Sequence, residues 1–403
     1  MKRLRNCCFG ILLTAAALSA QQSSVDVVNA LRPVPLGPKA ALPLAAAPSH
    51  LFGFRDPRRE IALDRQFLAV PSASLAREHL KTLTAAPHWA SSSGDYATAV
   101  YVAERFKAAG LQTEIVPYSV LLPKPTSLSI QAFDASGAQI LSGPGAESSH
   151  PDPRALPPFS SGSASGDVTA PVVYANYGRR EDFARLAQLG ISVKGKIALV
   201  RYGQIYRGTK VYLAQKAGAV GVLIYTDPAD SSTAGEKAYP DGPNPPPGAV
   251  QRGAVQFLTI YPGDPSTPGV ASTPALRAAE RIPDSKLQYD LPSIPTQPLS
   301  AADAVPILRA LAGHEVPHEW QGAAVGSSYH LGSAEAPVIV HMRLAFDRRL
   351  RTIWDVIGRI PGTAEPQQWV IAGNHRDAWV YGAADPSSGT AAMLEAVHGW
   401  EFC

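Results

Sequence analysis

Cysteine is nearly absent from this chain. Of 403 residues only Cys7, Cys8 and Cys403 are cysteines, too few for a disulfide framework to supply the stability. Blocks of like charge are missing as well. With 36 basic and 33 acidic residues the net charge is only +3, and no nucleic-acid partner is expected. Nor is there an apolar run long enough to span a bilayer, which takes about 20 residues. The stretch from Cys7 to Leu18 is shorter, follows Lys2, Arg3 and Arg5, and leads into Leu18-Ser19-Ala20. That layout marks residues 1–20 as a signal peptide cleaved after Ala20, with an uncleaved N-terminal anchor as the alternative. The protein is thus expected to be exported, to the periplasm or the extracellular space. Cleavage would leave Cys403 alone, so stability has to come from packing and from any bound metal.

Proline and apolar residues are plentiful: 37 prolines and 45% hydrophobic content suffice for two or three domains with cores of their own. Residues 21–50, rich in Ala, Pro and Ser, read as a linker. A serine-capped helix is expected over 72–83, and a second over 96–106 with Gly110 as its stop. Residues 111–116 alternate as a strand does. From about Pro123 the texture changes to short strands, prolines and turns. A strand is expected at 196–200, a helix at 209–217 stopped by Gly218, a strand at 219–225 and a proline-rich surface loop at 239–247. Separate alternating strands return at 338–344 and 352–360. The simplest organisation is one α/β domain, 51–117 and 350–403, interrupted by an insertion at 118–349.

The densest chemistry lies in Asn374-His375-Arg376-Asp377-Ala378-Trp379 and in Ala384-Asp385-Pro386-Ser387-Ser388-Gly389. The apolar run 369–373 reads as a buried strand, with His375 just past its C-terminal end, where open α/β sheets place their ligands. Asp377 is spaced to hold the far nitrogen of His375 and so fix the tautomer of a metal-bound imidazole. Asp385 precedes a helical run to about residue 397, and a carboxylate there can bridge two cations.

Three collinear stretches covering about residues 75 to 398 resemble the family of glutamate carboxypeptidase II and the transferrin receptor. Pro87-His88-Trp89 through Asp95 looks like the start of its peptidase domain. Gly195-Lys196-Ile197, Arg201-Tyr202-Gly203, Tyr206-Arg207-Gly208, Tyr225-Thr226-Asp227-Pro228 and Gly263-Asp264-Pro265 look like its inserted protease-associated domain. The third stretch is the His375–Asp385 segment. The resemblance implies a zinc-peptidase α/β sheet domain, incomplete here, interrupted by a protease-associated α+β domain. It implies an exported exopeptidase, carboxypeptidase or aminopeptidase, that hydrolyses small or C-terminal peptides through water activated by two zinc ions about 3.5–4 Å apart. It further implies His375 as a terminal zinc ligand, Asp385 as the bridging carboxylate, Asp377 as the partner that orients His375, and Arg207 as the grip on a substrate carboxylate. Gln204 and Ala254 stand where glutamate carboxypeptidase has a supporting lysine and asparagine, so a preference for C-terminal glutamate is not carried over.

Other family features have no counterpart. The general-base Glu-Glu pair and the later Asp and His have no matching positions. Glu395 and Glu401 read as exposed helix and tail carboxylates, and Gly399 as an interruption of the last helix. At the family's calcium site, Thr267 and Val270 read as a plain turn rather than a competent cation cage. The expectation is a C-terminally truncated peptidase, inactive as this chain, whose full-length form pairs as a homodimer. The alternatives are a non-catalytic binding protein that uses the protease-associated domain, and a frameshifted relic. An apolar strand lacking partners would expose an open edge.

Overall fold

The computed structural model describes residue 53 and residues 56–145, 152–231 and 235–400. The expected signal peptide and linker, along with Glu401 and Cys403, lie outside the described residues. Three helices come first: α1 (Arg58–Leu68), α2 (Ala73–Leu83) and α3 (Ser93–Ala108). The side chains of Ser72 and Ser92 accept from the backbone N–H of Leu75 and Asp95, capping the second and third. The first helix, which sequence periodicity did not signal, buries none of its residues.

A strand of 22 residues follows, β1 (Gln112–Phe133), far longer than the strand expected at 111–116. Pro117, Pro123 and Pro125 lie within it, and proline donates nothing to a ladder. They are tolerated because of the side they face. The neighbouring odd-numbered residues Ser119 and Leu121 donate to the Ser272 carbonyl and the Asp264 carboxylate, away from the pairing partner. The prolines fall on that same outward edge, where no ladder hydrogen bond is lost.

The chain continues through β2 (Gln139–Gly143), β3 (Ser160–Ser161), β4 (Gly166–Tyr174), α4 (Arg180–Gln188), β5 (Ile197–Arg201), α5 (Arg207–Lys216) and β6 (Gly221–Tyr225). Then come β7 (Gly253–Ala254), β8 (Thr296–Leu299), α6 (Ala301–Ala310), β9 (Ile339–Arg359) and α7 (Ser387–Trp400). Seven strands form one sheet in the order β2-β1-β9-β4-β5-β6-β8. The run β4-β5-β6-β8 is parallel, and β1 and β9 pair antiparallel from Gln112↔Arg359 to Phe133↔Ile339.

The two strands expected at 338–344 and 352–360 are therefore one. Their junction, Phe346-Asp347-Arg348-Arg349-Leu350-Arg351, is too charged to read as a strand. In the half-exposed ribbon those charges are paired: Asp347 with Arg349 and Arg351, each at 2.9 Å, and Arg348 with Asp284 at 2.7 Å.

Two apolar cores flank this ribbon. The larger surrounds β5 and β6, where Ile197, Ala198, Leu199, Val200, Val222 and Leu223 are all 0% exposed. The smaller comprises Leu83, Val102, Phe106, Leu111, Leu394 and Val397, joining α2, α3 and α7. No helix among the described residues is long and apolar enough to cross a membrane.

Two expectations for the last helix fail. Gly399 does not interrupt it; α7 runs through to Trp400. A Cβ at Gly399 would sit 2.8 Å from the Phe67 ring, so this glycine brings α1 close to α7 instead of ending the helix. Glu395 is not an exposed carboxylate either. It is 4% exposed and faces α2, with its charge 3.2 Å from His79 and 2.6 Å from the Ser72 N–H.

A second close approach fixes α5. A Cβ at Gly208 would lie 2.2 Å from the Gln256 carbonyl oxygen, a backbone atom with little room to yield. Gly208→Ala should therefore destabilise by about 1–3 kcal/mol despite alanine's better helix propensity. A urea midpoint equal to or above that of the parent would contradict this packing account.

Candidate functional site

The apolar run before His375 is not the buried strand expected. Trp369, Val370 and Ile371 are 70%, 102% and 83% exposed, and the segment joins no ladder. A buried strand needs ladder partners at its edges and packed layers over both faces. Here only the free edge of β9 lies alongside: the Arg359 guanidinium is 6.0 Å from the Trp369 ring, and Arg376 reaches the Trp354 carbonyl at 2.9 Å. His375 is held by its neighbours rather than by a sheet.

Arg376 is the stronger anchor. Its Nη1 donates to the Asp95 carboxylate at 2.6 Å, to Thr98 Oγ1 at 2.5 Å and to the Asp95 carbonyl. Asp95 lies in the first turn of α3 and is 1% exposed. Burial raises its pKa, and the guanidinium works against that rise. One side chain thus joins α3, β9 and the segment carrying His375. On the other flank, the Asn374 amide donates to the His375 carbonyl at 2.8 Å, the Pro386 carbonyl at 3.0 Å and Thr390 Oγ1 at 2.9 Å. It ties His375 directly to the start of α7.

The segment beyond is fastened too. The Ala378 N–H donates to the His88 carbonyl at 3.0 Å, and the His88 N–H to the Val380 carbonyl at 3.2 Å. The Trp379 ring meets Phe159 edge-on at 4.9 Å, and the Tyr381 hydroxyl donates to Asp152 at 2.9 Å. The hydrogen bond from Arg154, with Tyr381 adding, holds the Asp152 carboxyl well below the usual carboxylate range.

Within this frame His375 Nε2 lies 2.9 Å from Asp385 Oδ1. Its Nδ1 is 3.0 Å from the Asp377 carbonyl oxygen and 3.4 Å from its carboxylate. Asp377 thus meets the far nitrogen through its backbone carbonyl and, at the longer distance, through the carboxylate that the sequence spacing suggests. The Asp377 carboxylate, by hydrogen bond and then charge, and after it the hydrogen bond to Asp385, lift the His375 pKa to about 9 against the effect of burial. The side chains of His375 and Asp385 are 56% and 85% exposed, so both donor atoms converge on solvent.

His375 and Asp385 are the two zinc donors expected from the sequence. A catalytic zinc takes three protein ligands, and among the described residues no cluster of three or more His, Cys, Asp or Glu is placed to hold a metal. By themselves, these residues do not fit a complete centre. At the turn expected around Thr267 and Val270, the Thr267 carbonyl accepts from the Val270 N–H at 3.1 Å and from the Tyr261 hydroxyl at 3.3 Å.

Arg207 opens α5, and its Nη1 donates to the Tyr202 hydroxyl at 3.0 Å. Its guanidinium sits 5.5 and 5.9 Å from the Tyr202 and Tyr206 rings and packs on Gly253. The Tyr206 hydroxyl donates to the Ala254 carbonyl at 2.9 Å, while Gln204 is exposed with φ of +65°. Among the described residues no hydrogen bond or ion pair links Arg207 to His375, Asp377 or Asp385. The anchoring roles of Asn374, Arg376 and Asp95 escaped the sequence reading, although the charge of Arg376 inside an otherwise ligand-like motif was a usable signal.

A family model for the PA domain matches residues 168–258. Probable glutamate carboxypeptidase VP8 of Zea mays is 39% identical over 327 residues, covering 80% of this chain and 42% of that protein. Aminopeptidase NAALADL1 of Rattus norvegicus is 37% identical over 382 residues, 89% of this chain and 49% of that one. A glutamate carboxypeptidase 2 homolog of Caenorhabditis briggsae is 36% identical over 344 residues, 79% and 43% of the two chains. The chain thus spans about half the length of the curated relatives it matches. Among solved structures, a peptidase M28 precursor from Shewanella amazonensis aligns over 83% of this chain and 62% of its own, with 15% identity and a TM-score of 0.46. BSAP, a zinc aminopeptidase from Bacillus subtilis, aligns over 82% and 58%, with 16% identity and a TM-score of 0.43.

The site's dependence on its anchor can be measured. Arg376→Met leaves the buried Asp95 carboxylate without its cation, which should cost about 3–5 kcal/mol. Pairing it with Asp95→Asn should recover part of that loss in urea melts. A near-zero coupling between the two substitutions would remove the pair from its anchoring role.

Proposed function

This chain belongs to the family of the glutamate carboxypeptidases and NAALADL1-type aminopeptidases, and on that premise we propose that it carries part of a zinc exopeptidase site. His375 Nε2 and the Asp385 carboxylate are the metal donors in this reading, and Asp377 fixes the imidazole by engaging its Nδ1. The observation that carries it is the 2.9 Å approach of His375 Nε2 to Asp385 Oδ1, two ligand-type atoms meeting at solvent with the opposite ring nitrogen already engaged. Zinc, when bound, supplies Lewis acidity toward a peptide carbonyl and its attacking water.

The substrates proposed are small peptides or peptide C-termini. Arg207 contributes a planar fork for a terminal carboxylate, its plane fixed by Tyr202. The destination proposed is outside the cytoplasm, in line with the charged and apolar pattern of residues 1–20, and the full-length form is proposed to dimerise. With two donors where three are needed, this chain is proposed to be inactive as it stands. The same shortage favours a second reading, a non-catalytic binder of peptides or proteins.

Purified protein dialysed against zinc should hold less than one equivalent, and His375→Ala or Asp385→Ala should abolish what is held. It should leave peptides uncut. Zinc that survives both substitutions would place the metal elsewhere, and chelator-sensitive cleavage would overturn the inactivity.

A further inference from the structure

The smaller core encloses a polar cluster that the candidate site does not use. His79 on α2 and Glu395 on α7 are each 4% exposed. His79 Nε2 is 3.2 Å from Glu395 Oε1, and the other carboxylate oxygen accepts from the Ser72 N–H at 2.6 Å. His79 Nδ1 is 2.7 Å from the Tyr101 hydroxyl of α3, whose ring stands edge-on to the imidazole at 5.9 Å. Three helices therefore meet at one imidazole.

The neutral ring suits this pocket. Tyr101 donates to Nδ1 while the Nε2–H faces the Glu395 carboxylate. A second proton makes Nδ1 a donor as well, so the Tyr101 oxygen must accept from it and the hydroxyl proton must leave the ring for another acceptor. The charged groups around the ring pull in opposite directions. Glu395 favours the cation. Arg105, 5.6 Å above the Tyr101 ring, and His398, one turn beyond Glu395 on α7, disfavour it. Burial is the largest influence and carries His79 below its ordinary 6.5. A group depressed on folding contributes stability that is full above its unfolded pKa and is lost as pH falls through its folded one.

We propose that His79 is an acid-sensitive latch between α2, α3 and α7, whose protonation frees α7 from the smaller core. Because α7 begins two residues after Asp385 and supplies Thr390 to the Asn374 amide, its release also loosens the His375–Asp385 segment. The latch operates whether or not the chain hydrolyses peptides.

Hydrogen exchange tests it. The protection of 387–400, corrected for intrinsic rates and referred to β5 and β6, should fall about threefold or more between about pH 7.5 and pH 5. His79→Gln keeps a neutral donor and acceptor and should flatten that response. Tyr101→Phe, which removes the hydroxyl partner of Nδ1 in both protonation states, should move the midpoint of the response and serves if the glutamine variant does not fold. Protection of α7 that is independent of pH in the parent overturns the latch. So does a parent-like response in His79→Gln, or in Tyr101→Phe.

Discussion

The buried contact between Arg376 and Asp95 sets the geometry of the candidate site. His375 sits on an irregular segment with no strand partner, yet the next residue is fixed into the interior by a carboxylate 1% exposed, a threonine hydroxyl and two backbone carbonyls. Burying such a charge pair is expensive, and its net contribution to stability is often small. What it supplies is position. A guanidinium with several fixed acceptors leaves the backbone on either side little freedom, and Asn374 restrains the other flank. The exposed ligand-type side chains are thus carried on a backbone anchored at two points.

The second constraint is the β1–β9 ribbon. Its outer halves belong to different cores: near Gln112 and Arg359 it lies against α3, and near Phe133 and Ile339 it forms part of the seven-stranded sheet. One pair of strands therefore serves both halves of the described chain. The site segment adds further ties between them, through Trp379 on Phe159 and Tyr381 on Asp152.

Much of this was legible beforehand. The serine cap at 72, the strands around 197–201 and 221–225 and the helix between them follow from local patterning, and the structure places them where expected within a few residues. The ribbon was not legible. Prolines at 117, 123 and 125 and charges at 347–351 look like loop until the pairing partner shows which edge and which faces they occupy. The run 369–373 fails in the opposite sense, because an apolar pattern encodes readiness to pair but not the presence of a partner. Glu395 and Gly399 were misread for a related reason: their meaning lies in His79 and Phe67, more than three hundred residues earlier in the chain. At the site itself, the types and spacing of His375, Asp377 and Asp385 could be read directly. The anchors could not, since an arginine's buried partner leaves no local mark.

The ribbon also bears on how such a chain could have arisen. Pro117 and Trp354 face each other in register, so everything between them leaves and rejoins the smaller core at neighbouring positions. Inserting chain between two points already in contact adds almost no closure entropy to the host, and lengthening such a loop costs only about 0.6 kcal/mol per doubling. In topological terms the larger core lies beyond the far end of a two-stranded hairpin. It could be gained, exchanged or reshaped while the three helices beneath it kept their own packing.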